Sequence, residues 1–339
     1  MKTLGKIVLW ALVVIAAIAV VGWLALRRPD IPFARLEAKY AAAAADKYVD
    51  LPGGLHVHYR DQGNPAGPTL VMVHGYSASF ADWEPWVKLL GDRYRILTLD
   101  LPGQGLTRSP ADYKAWPDGY VQVVDQVTEK VGARRFVLIG NSMGGMVSWS
   151  YALAHPEKLD GLVLVDSAGW ALKPNGALIF KLLQNPAAAE VIKDLDNRAM
   201  IKQGLQAAFL DPKLVDDALV DRYTELSRAP GHRDILIHLQ EGRVEATKEK
   251  LATIKVPTLV MHGKQDQLIP VQDGERFAQA IPNATLIEYD NVGHVPMEQI
   301  PEKSAADLRR WLEAKVYPSP LAGEGGLRSR SDEGFLKPR

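Results

Sequence analysis

The chain starts with an uninterrupted apolar run and then changes to short apolar segments that alternate with longer, half-polar ones. Within the run, residues 7–26, no side chain is polar. At about 1.5 Å of rise per residue, a helix of this length spans roughly 30 Å, the thickness of a bilayer core. A cleaved signal peptide is the alternative, but the only small-x-small pattern, Ala17-Ile18-Ala19, lies inside the run. The pattern therefore predicts a membrane anchor over residues 1–28.

Basic residues on the two sides of the run bear on its orientation. Lys2 and Lys6 precede it, and the basic residues that follow it closely are Arg27, Arg28, Arg35 and Lys39. The excess after the run favours a cytoplasmic position for the domain that follows, on a single-pass protein of a bacterial cytoplasmic membrane. The opposite orientation stays open, because the short lysine-bearing tail can also be retained inside.

After a connector at residues 29–46, the apolar segments have the length and spacing of a covered sheet. Residues 47–61 predict two strands joined by a turn at Pro52-Gly53-Gly54. We interpret His56 and His58, which alternate with Val57 and Tyr59, as the solvated face of a strand. Six later segments predict strands, several of them apolar throughout, at 70–73, 95–99, 136–139, 162–165, 258–261 and 285–288. Segments of helical length separate them at 81–90, 118–131, 142–154, 274–281 and 301–315. This alternation predicts an α/β fold with a doubly wound, mostly parallel sheet.

The alternation stops between residues 168 and 251, where the periodicity is helical and no segment reads convincingly as a strand. A stretch of roughly eighty residues is too long for a plain connection. We interpret 168–251 as a helical cap that divides the core into residues 47–167 and 252–317. The tail, 318–339, is rich in proline, glycine, serine and charge, and we expect it to be disordered.

Composition excludes several kinds of function. The 40 basic and 40 acidic residues cancel, so no long-range field attracts nucleic acid. Without cysteine the chain has no disulfide, no thiolate metal site and no cysteine nucleophile. No group of histidine, aspartate and glutamate has the spacing of metal ligands, and we expect no metal.

The strongest chemical signal is Gly140-Asn-Ser142-Met-Gly144, which follows an apolar strand and opens a predicted helix. A serine on so sharp a turn takes a strained backbone conformation, and bulky neighbours would collide there. Gly140 and Gly144 remove those side chains, so that the Ser142 hydroxyl stands clear of the sheet. We therefore predict Ser142 as a nucleophile.

A serine nucleophile needs a base that is held in place by a carboxylate. On such a fold the order along the chain is serine, acid, histidine. His294 lies between the last strand and the last helix, where the base belongs. Asp266 follows the penultimate strand and is our candidate acid, with Asp166 after the preceding strand as its rival.

The oxyanion of the tetrahedral intermediate needs backbone donors. We expect them to be the N–H groups of Met143, directly after the nucleophile, and of Tyr76, in the loop after the strand that ends at His74-Gly75. We interpret His74 as a brace for that loop. Asp100-Leu-Pro-Gly-Gln-Gly105 lacks the pattern of a phosphate-binding loop and reads as a structural turn.

These motifs together resemble the α/β-hydrolase superfamily over roughly residues 47–316. Within it the chain looks most like the membrane-anchored monoacylglycerol lipases and related bacterial lipases and esterases. The features that carry this narrower likeness are the anchor, His74-Gly-Tyr-Ser-Ala78 with Trp83, and Gly263-Lys-Gln-Asp-Gln267. The resemblance implies hydrolysis of lipid or small-molecule carboxylic esters by Ser142, Asp266 and His294 without a cofactor.

One departure leaves a second activity open. Asn141 before the nucleophile is also familiar in the carbon–carbon bond hydrolases of aromatic meta-cleavage products, although those usually carry tryptophan after the base, where Val295 stands here.

The apolar residues of the cap favour an apolar acyl group. They are Trp170, Leu172, Leu178, Ile179, Phe180, Leu182, Leu183, Met200, Ile201, Leu205, Phe209 and Leu210.

Overall fold

The computed structural model describes the chain in five segments, residues 2–41, 44–115, 118–170, 185–238 and 244–318. The predicted cap residues from Leu172 to Leu183 lie outside them. The predicted tail also lies outside them, apart from its first residue.

Eight strands in the described segments form one sheet. They are Asp46–Leu51 (β1), Leu55–Gly63 (β2), Thr69–Val73 (β3), Arg95–Leu99 (β4), Phe136–Asn141 (β5), Leu159–Val165 (β6), Thr258–Gly263 (β7) and Ala284–Tyr289 (β8). Their spatial order is β1-β2-β4-β3-β5-β6-β7-β8. Strand β2 is antiparallel to β1 and β4, and the remaining neighbours are parallel. The predicted mostly parallel sheet is confirmed, with each predicted strand in place.

Helices connect these strands in the predicted alternation. They are Lys2–Leu26 (α1), Phe33–Tyr40 (α2), Glu84–Leu90 (α3), Asp118–Lys130 (α4), Met143–Ala154 (α5), Pro186–Ile192 (α6), Arg198–Phe209 (α7), Asp217–Leu226 (α8), His232–His238 (α9), Lys248–Leu251 (α10), Val271–Ala280 (α11), Pro296–Gln299 (α12) and Pro301–Trp311 (α13). A 3₁₀ turn, Phe80–Trp83, precedes α3, and a π-helical turn, Leu312–Val316, extends α13. We call α6 to α9, which lie between β6 and β7, the cap helices.

Helices cover both faces of the sheet, which is why its central strands are apolar at every position. In β3, Val71 and Val73 belong to a core with α4, α5 and α11, whereas Leu70 and Met72 belong to a second core with α3 and α13. The parallel pairing leaves the carboxyl ends of β3, β5, β6 and β7 at one edge, and the loops that follow them meet there.

Helix α1 stands apart from these cores. Within residues 5–26, the most apolar stretch has a mean hydropathy of 2.8, and none of it is buried. Among the described residues it is the one helix long and apolar enough to cross a bilayer.

The interpretation of His58 as a solvated residue was wrong. Its side chain is fully buried, because the rings of Phe80 and Tyr48 pack against it with centroids 5.0 and 5.1 Å away. His58 Nδ1 lies 2.8 Å from Asp100 Oδ2, and Nε2 lies 2.9 Å from Asp46 Oδ1. Burial alone would lower the pKa of His58, but the two carboxylates outweigh it and raise the pKa to about 8. The buried imidazolium therefore joins the edge strand β1 to the loop after β4.

This buried ion cluster predicts a pH-dependent stability. A histidine whose pKa is higher in the folded state stabilises the fold fully below its unfolded value of about 6.5, and the contribution is lost as the pH rises through 8. We expect the free energy of unfolding to fall by about 2 kcal/mol between pH 6 and pH 9 from this group. Urea denaturation followed by circular dichroism should show that His58→Asn loses this part of the fall. His56→Asn, at the partly exposed neighbouring position, should keep it. An undiminished fall in His58→Asn would contradict the assignment.

Candidate active site

Ser142 occupies the sharp turn between β5 and α5. Its backbone is left-handed, with φ 55° and ψ −117°, a conformation that costs a non-glycine residue energy. A Cβ on Gly140 would lie 2.1 Å from the carbonyl oxygen of Gly144, and a Cβ on Gly144 would lie 2.1 Å from that of Val73. Both glycines are thus required by close backbone contacts, as the sequence argument proposed.

Two unpaired backbone donors border this turn. Met143 is the first residue of α5, so its N–H has no acceptor within the helix. A Cβ on Gly75 would lie 3.3 Å from Ser142 Cβ, which shows how closely the loop carrying Tyr76 approaches the serine. In the described part of the chain, neither the Met143 nor the Tyr76 N–H donates to a backbone acceptor. Both remain available to a negatively charged oxygen.

His74 holds the loop that carries Tyr76. The N–H of Leu101 donates to His74 Nε2 over 3.1 Å, so that nitrogen is an acceptor and Nδ1 carries the proton. His74 Nδ1 in turn donates to the carbonyl oxygen of Gly75 over 2.8 Å. These two contacts fit the bracing role that the sequence suggested. The following turn is fixed by Asp100, which accepts from the N–H groups of Phe80 at 2.7 Å and Leu106 at 2.8 Å.

His294 is hydrogen-bonded to Asp266. The distance from His294 Nδ1 to Asp266 Oδ2 is 2.6 Å, and the Asp266 side chain is fully buried. Asp266 Oδ1 accepts from the N–H groups of Leu268 at 2.7 Å and Ile269 at 3.0 Å, which fix the orientation of the carboxylate. Burial raises the pKa of Asp266, but His294 and these amides outweigh it and hold the pKa below its usual range. Asp266 is therefore an ionised partner for the imidazole.

Asp166, the rival acid, lies beside this pair without bonding to His294. Its Oδ1 accepts from the Gly263 N–H at 2.8 Å. Burial and the nearby charge of Asp266 raise the pKa of Asp166 well above its usual value. Ligand atoms of Asp166, Asp266 and His294 do lie within 4.8 Å of one another.

The backbone of His294 is held from two further directions. Its N–H donates to the carbonyl oxygen of Ala208, in cap helix α7, over 2.7 Å. The amide of Asn141 donates to the carbonyl oxygens of His294 at 3.0 Å and of Val165 at 3.2 Å. The sequence marked Asn141 only by its place before Ser142 and gave no sign that it positions the histidine loop.

Ser142 and His294 line one cavity of about 240 Å³. Its apolar wall includes three predicted cap residues and comprises Ile201, Leu205, Ala208, Phe209, Leu268 and Val295. Other predicted cap residues lie elsewhere. Met200 is exposed, and Trp170 packs against Phe277 with ring centroids 5.2 Å apart. The polar part of the wall includes Asn141, Ser77, Asp82 and Tyr223.

Comparison with known proteins gives one family and two kinds of relative. A family model described as "alpha/beta hydrolase fold" matches residues 68–300. The monoacylglycerol lipase ABHD6 of Homo sapiens is 30% identical over 269 residues, covering 74% of this chain and 79% of that protein. The 2-hydroxy-6-oxononadienedioate/2-hydroxy-6-oxononatrienedioate hydrolase of Paraburkholderia phymatum is 29% identical over 272 residues, covering 75% of this chain and 91% of that protein.

A solved structure shares the fold over nearly the whole chain. It is the crystal structure of a membrane phospholipase A described as a bacterial virulence factor, with a TM-score of 0.69 and 24% sequence identity. The match covers 94% of this chain and 100% of that one. At this identity the likeness concerns the fold alone.

The geometry predicts different effects for the two aspartates. Because Asp266 carries the bond to the imidazole, Asp266→Asn should slow the reaction of Ser142 with a fluorophosphonate on the order of 10⁴-fold. Asp166→Asn, which replaces a neutral carboxyl by an amide of the same shape, should slow it less than about tenfold. Labelling rates measured by mass spectrometry test this. A larger effect of Asp166→Asn than of Asp266→Asn would reverse the assignment.

Proposed function

This chain belongs to the family of the alpha/beta hydrolase fold, and from this membership we propose that it is a serine hydrolase of carboxylic esters with an apolar acyl chain, similar to the monoacylglycerol lipases. The observation that carries the proposal is the 2.6 Å bond between His294 Nδ1 and Asp266 Oδ2, in a cavity that Ser142 also lines. A base held by an ionised carboxylate, with a serine hydroxyl on the wall of the same cavity, is the arrangement that acyl transfer needs.

The proposed reaction is a two-step acyl transfer. His294 takes the proton of Ser142 as the hydroxyl oxygen attacks the ester carbonyl, and the negative charge on Asp266 stabilises the imidazolium. The N–H groups of Tyr76 and Met143 donate to the oxyanion. The imidazolium then protonates the departing alcohol, leaving an acyl-enzyme on Ser142. Water, deprotonated by His294, attacks this ester and releases the acid and the free serine.

The cavity wall supports an apolar acyl group. Leu205 and Phe209 on α7 and Leu268 beside Asp266 present hydrocarbon to the space next to Ser142. Each methylene that leaves water for such a surface contributes about 0.8 kcal/mol. Longer acyl chains should therefore bind more tightly until the cavity is full. We also propose that residues 168–251 form an inserted cap domain. Its helices α6 to α9 would then cover this cavity.

A carbon–carbon bond hydrolase is the second candidate, and the relative from Paraburkholderia phymatum favours it. The name of that relative describes a substrate with two carboxylates. The described part of the cavity wall carries no lysine or arginine to receive them, and it does carry Asp82. This electrostatic mismatch, together with Val295 after the base, leads us to prefer the ester hydrolase.

We propose that α1 anchors the protein in a membrane as a single span, with a cytoplasmic catalytic domain favoured. The end of α1 and the chain after it are bonded to the cap helices and the loop that follows α6. The N–H of Arg28 donates to the carbonyl oxygen of Asp194 over 2.8 Å. The N–H of Asp196 donates to the carbonyl oxygen of Leu26 over 2.9 Å. Trp23 Nε1 donates to the carbonyl oxygen of Val191 over 3.2 Å. This attachment keeps the cap helices close to the membrane surface, where apolar esters concentrate.

The proposal is tested by hydrolysis of esters of increasing acyl length. The rate constant kcat/KM should rise from acetyl esters until the cavity is filled, because each added methylene is buried.

Ser142→Ala should lower kcat on the order of 10⁶-fold. Ser148→Ala, which removes a buried hydroxyl bonded to Gly144 in the same helix, serves as the matched control and should remain active.

A parallel assay with a vinylogous 1,5-diketone of the meta-cleavage type separates the two candidates. The ester hydrolase should leave this compound intact. Cleavage of the diketone without cleavage of any ester would establish the second candidate instead, and more than a tenth of wild-type turnover in Ser142→Ala would refute both.

A further inference from the structure

One part of the cavity wall is charged, and the proposed acyl transfer does not use it. Asp82, in the 3₁₀ turn Phe80–Trp83, has 1% of its surface exposed and lines the same cavity as Ser142 and His294. The hydroxyl of Tyr223, from cap helix α8, donates to Asp82 Oδ1 over 3.0 Å. Burying a carboxyl group costs several kcal/mol unless it is paired, so its presence in this wall calls for a reason.

Asp82 shares one cation with a second buried carboxyl group. Burial raises the pKa of Asp82, while Arg222, His74 and the Tyr223 hydroxyl oppose that rise. Arg222 lies with one guanidinium nitrogen 4.0 Å from Asp82 Oδ1 and 3.5 Å from Glu298 Oε2, so a single cation stands between two carboxyl groups. Burial and the charge of Asp82 raise the pKa of Glu298 well above its usual value. Of the two carboxyl groups, Glu298 has the more strongly raised pKa, so the positive charge of Arg222 is left to balance Asp82. Glu298 is not part of the cavity wall.

The second oxygen of the Asp82 side chain, Oδ2, can still accept a hydrogen bond. Tyr223 and Arg222 both approach Oδ1, and within the described segments no donor is bonded to Oδ2. Leu205 and Phe209, on the apolar wall of the same cavity, have no polar side-chain atom to offer. The group that best satisfies such an acceptor inside an apolar cavity is the hydroxyl of a bound molecule.

We propose that Asp82, positioned by Tyr223, binds a free hydroxyl group on the alcohol part of the ester and so selects esters of polyols such as glycerol over esters of simple alcohols. This proposal rests on the ester hydrolase function proposed above and names its leaving group. A carboxylate in the cavity wall also repels anionic substrates. A neutral polyol is not repelled, and its free hydroxyl can donate to the carboxylate. A site built to bond a substrate hydroxyl discriminates strongly against an analogue that lacks it, because the acceptor is then left unpaired.

The test compares two esters with the same acyl chain, 1-monodecanoylglycerol and propyl decanoate, on the full-length protein in detergent micelles. Wild-type protein should hydrolyse the glycerol ester with the higher kcat/KM, by about 10- to 100-fold. Asp82→Asn, which keeps the shape but removes the charge, should reduce this ratio about tenfold. Asp82→Leu should abolish it, because the glycerol ester then loses the acceptor for its free hydroxyl. If the leucine variant does not fold, the ratio in Asp82→Asn decides.

Glu298→Gln is the matched control, since it changes the other carboxyl group bound to Arg222 but not the cavity wall. The ratio should stay at its wild-type value in this variant. Equal loss of both esters in Asp82→Asn would assign Asp82 a structural role and overturn the proposal. A wild-type ratio near one would overturn it while leaving the ester hydrolase standing. Failure of wild-type protein to hydrolyse either ester would overturn the proposed function and this inference with it.

Discussion

The left-handed backbone of Ser142 is the constraint on which the rest of the site depends. Such a conformation costs a non-glycine residue about 1–3 kcal/mol, so the neighbouring structure must hold it. Three backbone bonds do so: Ser142 N–H donates to Val165 over 3.0 Å, and the Ser142 carbonyl accepts from Met146 at 3.2 Å and Ala168 at 3.0 Å. These bonds hold the strained residue between β6 and α5. The turn lifts the hydroxyl from the sheet beside the N–H groups of Tyr76 and Met143, which have no backbone acceptor among the described residues.

His294 depends on the same framework through different contacts. Asn141, adjacent to the strained serine, bonds to the carbonyl oxygen of His294, and Ala208 of α7 accepts from the His294 N–H. Helix α7 therefore forms part of the cavity wall and also holds the loop of the histidine. A displacement of this helix would change the shape of the cavity and the position of the imidazole together. The positions of Ser142, His294 and the cavity wall are therefore coupled to one another.

The sequence predicted those features that depend on local pattern. Apolar periodicity located the strands and most helices, and the glycines around Ser142 revealed the turn, because a tight turn restricts the residues within a few positions of itself. The order of the motifs along the chain predicted that Asp266 and His294 lie close together, because parallel strands place the loops at their carboxyl ends on one edge of the sheet.

Contacts between distant residues could not be predicted in this way. Asn141 and His294 are 153 positions apart, and His58 and Asp100 are 42 apart. The alternation predicted a solvated His58, because the pattern does not show that Phe80 and Asp100, from distant parts of the chain, cover this face of β2. The polar wall at Asp82 was missed for the same reason, since it forms only when α8 of the cap helices brings Tyr223 against the 3₁₀ turn.

The central claim is that the Ser142 hydroxyl attacks a carbonyl whose oxygen is received by the two unpaired N–H groups. A crystal structure of the protein after reaction with a fluorophosphonate tests it most directly, because the phosphonyl group mimics the tetrahedral intermediate. The account predicts a covalent bond from phosphorus to Ser142 Oγ, with the phosphoryl oxygen within about 3.1 Å of the N–H groups of Tyr76 and Met143. An adduct on a different residue, or a phosphoryl oxygen turned away from both donors, would contradict it.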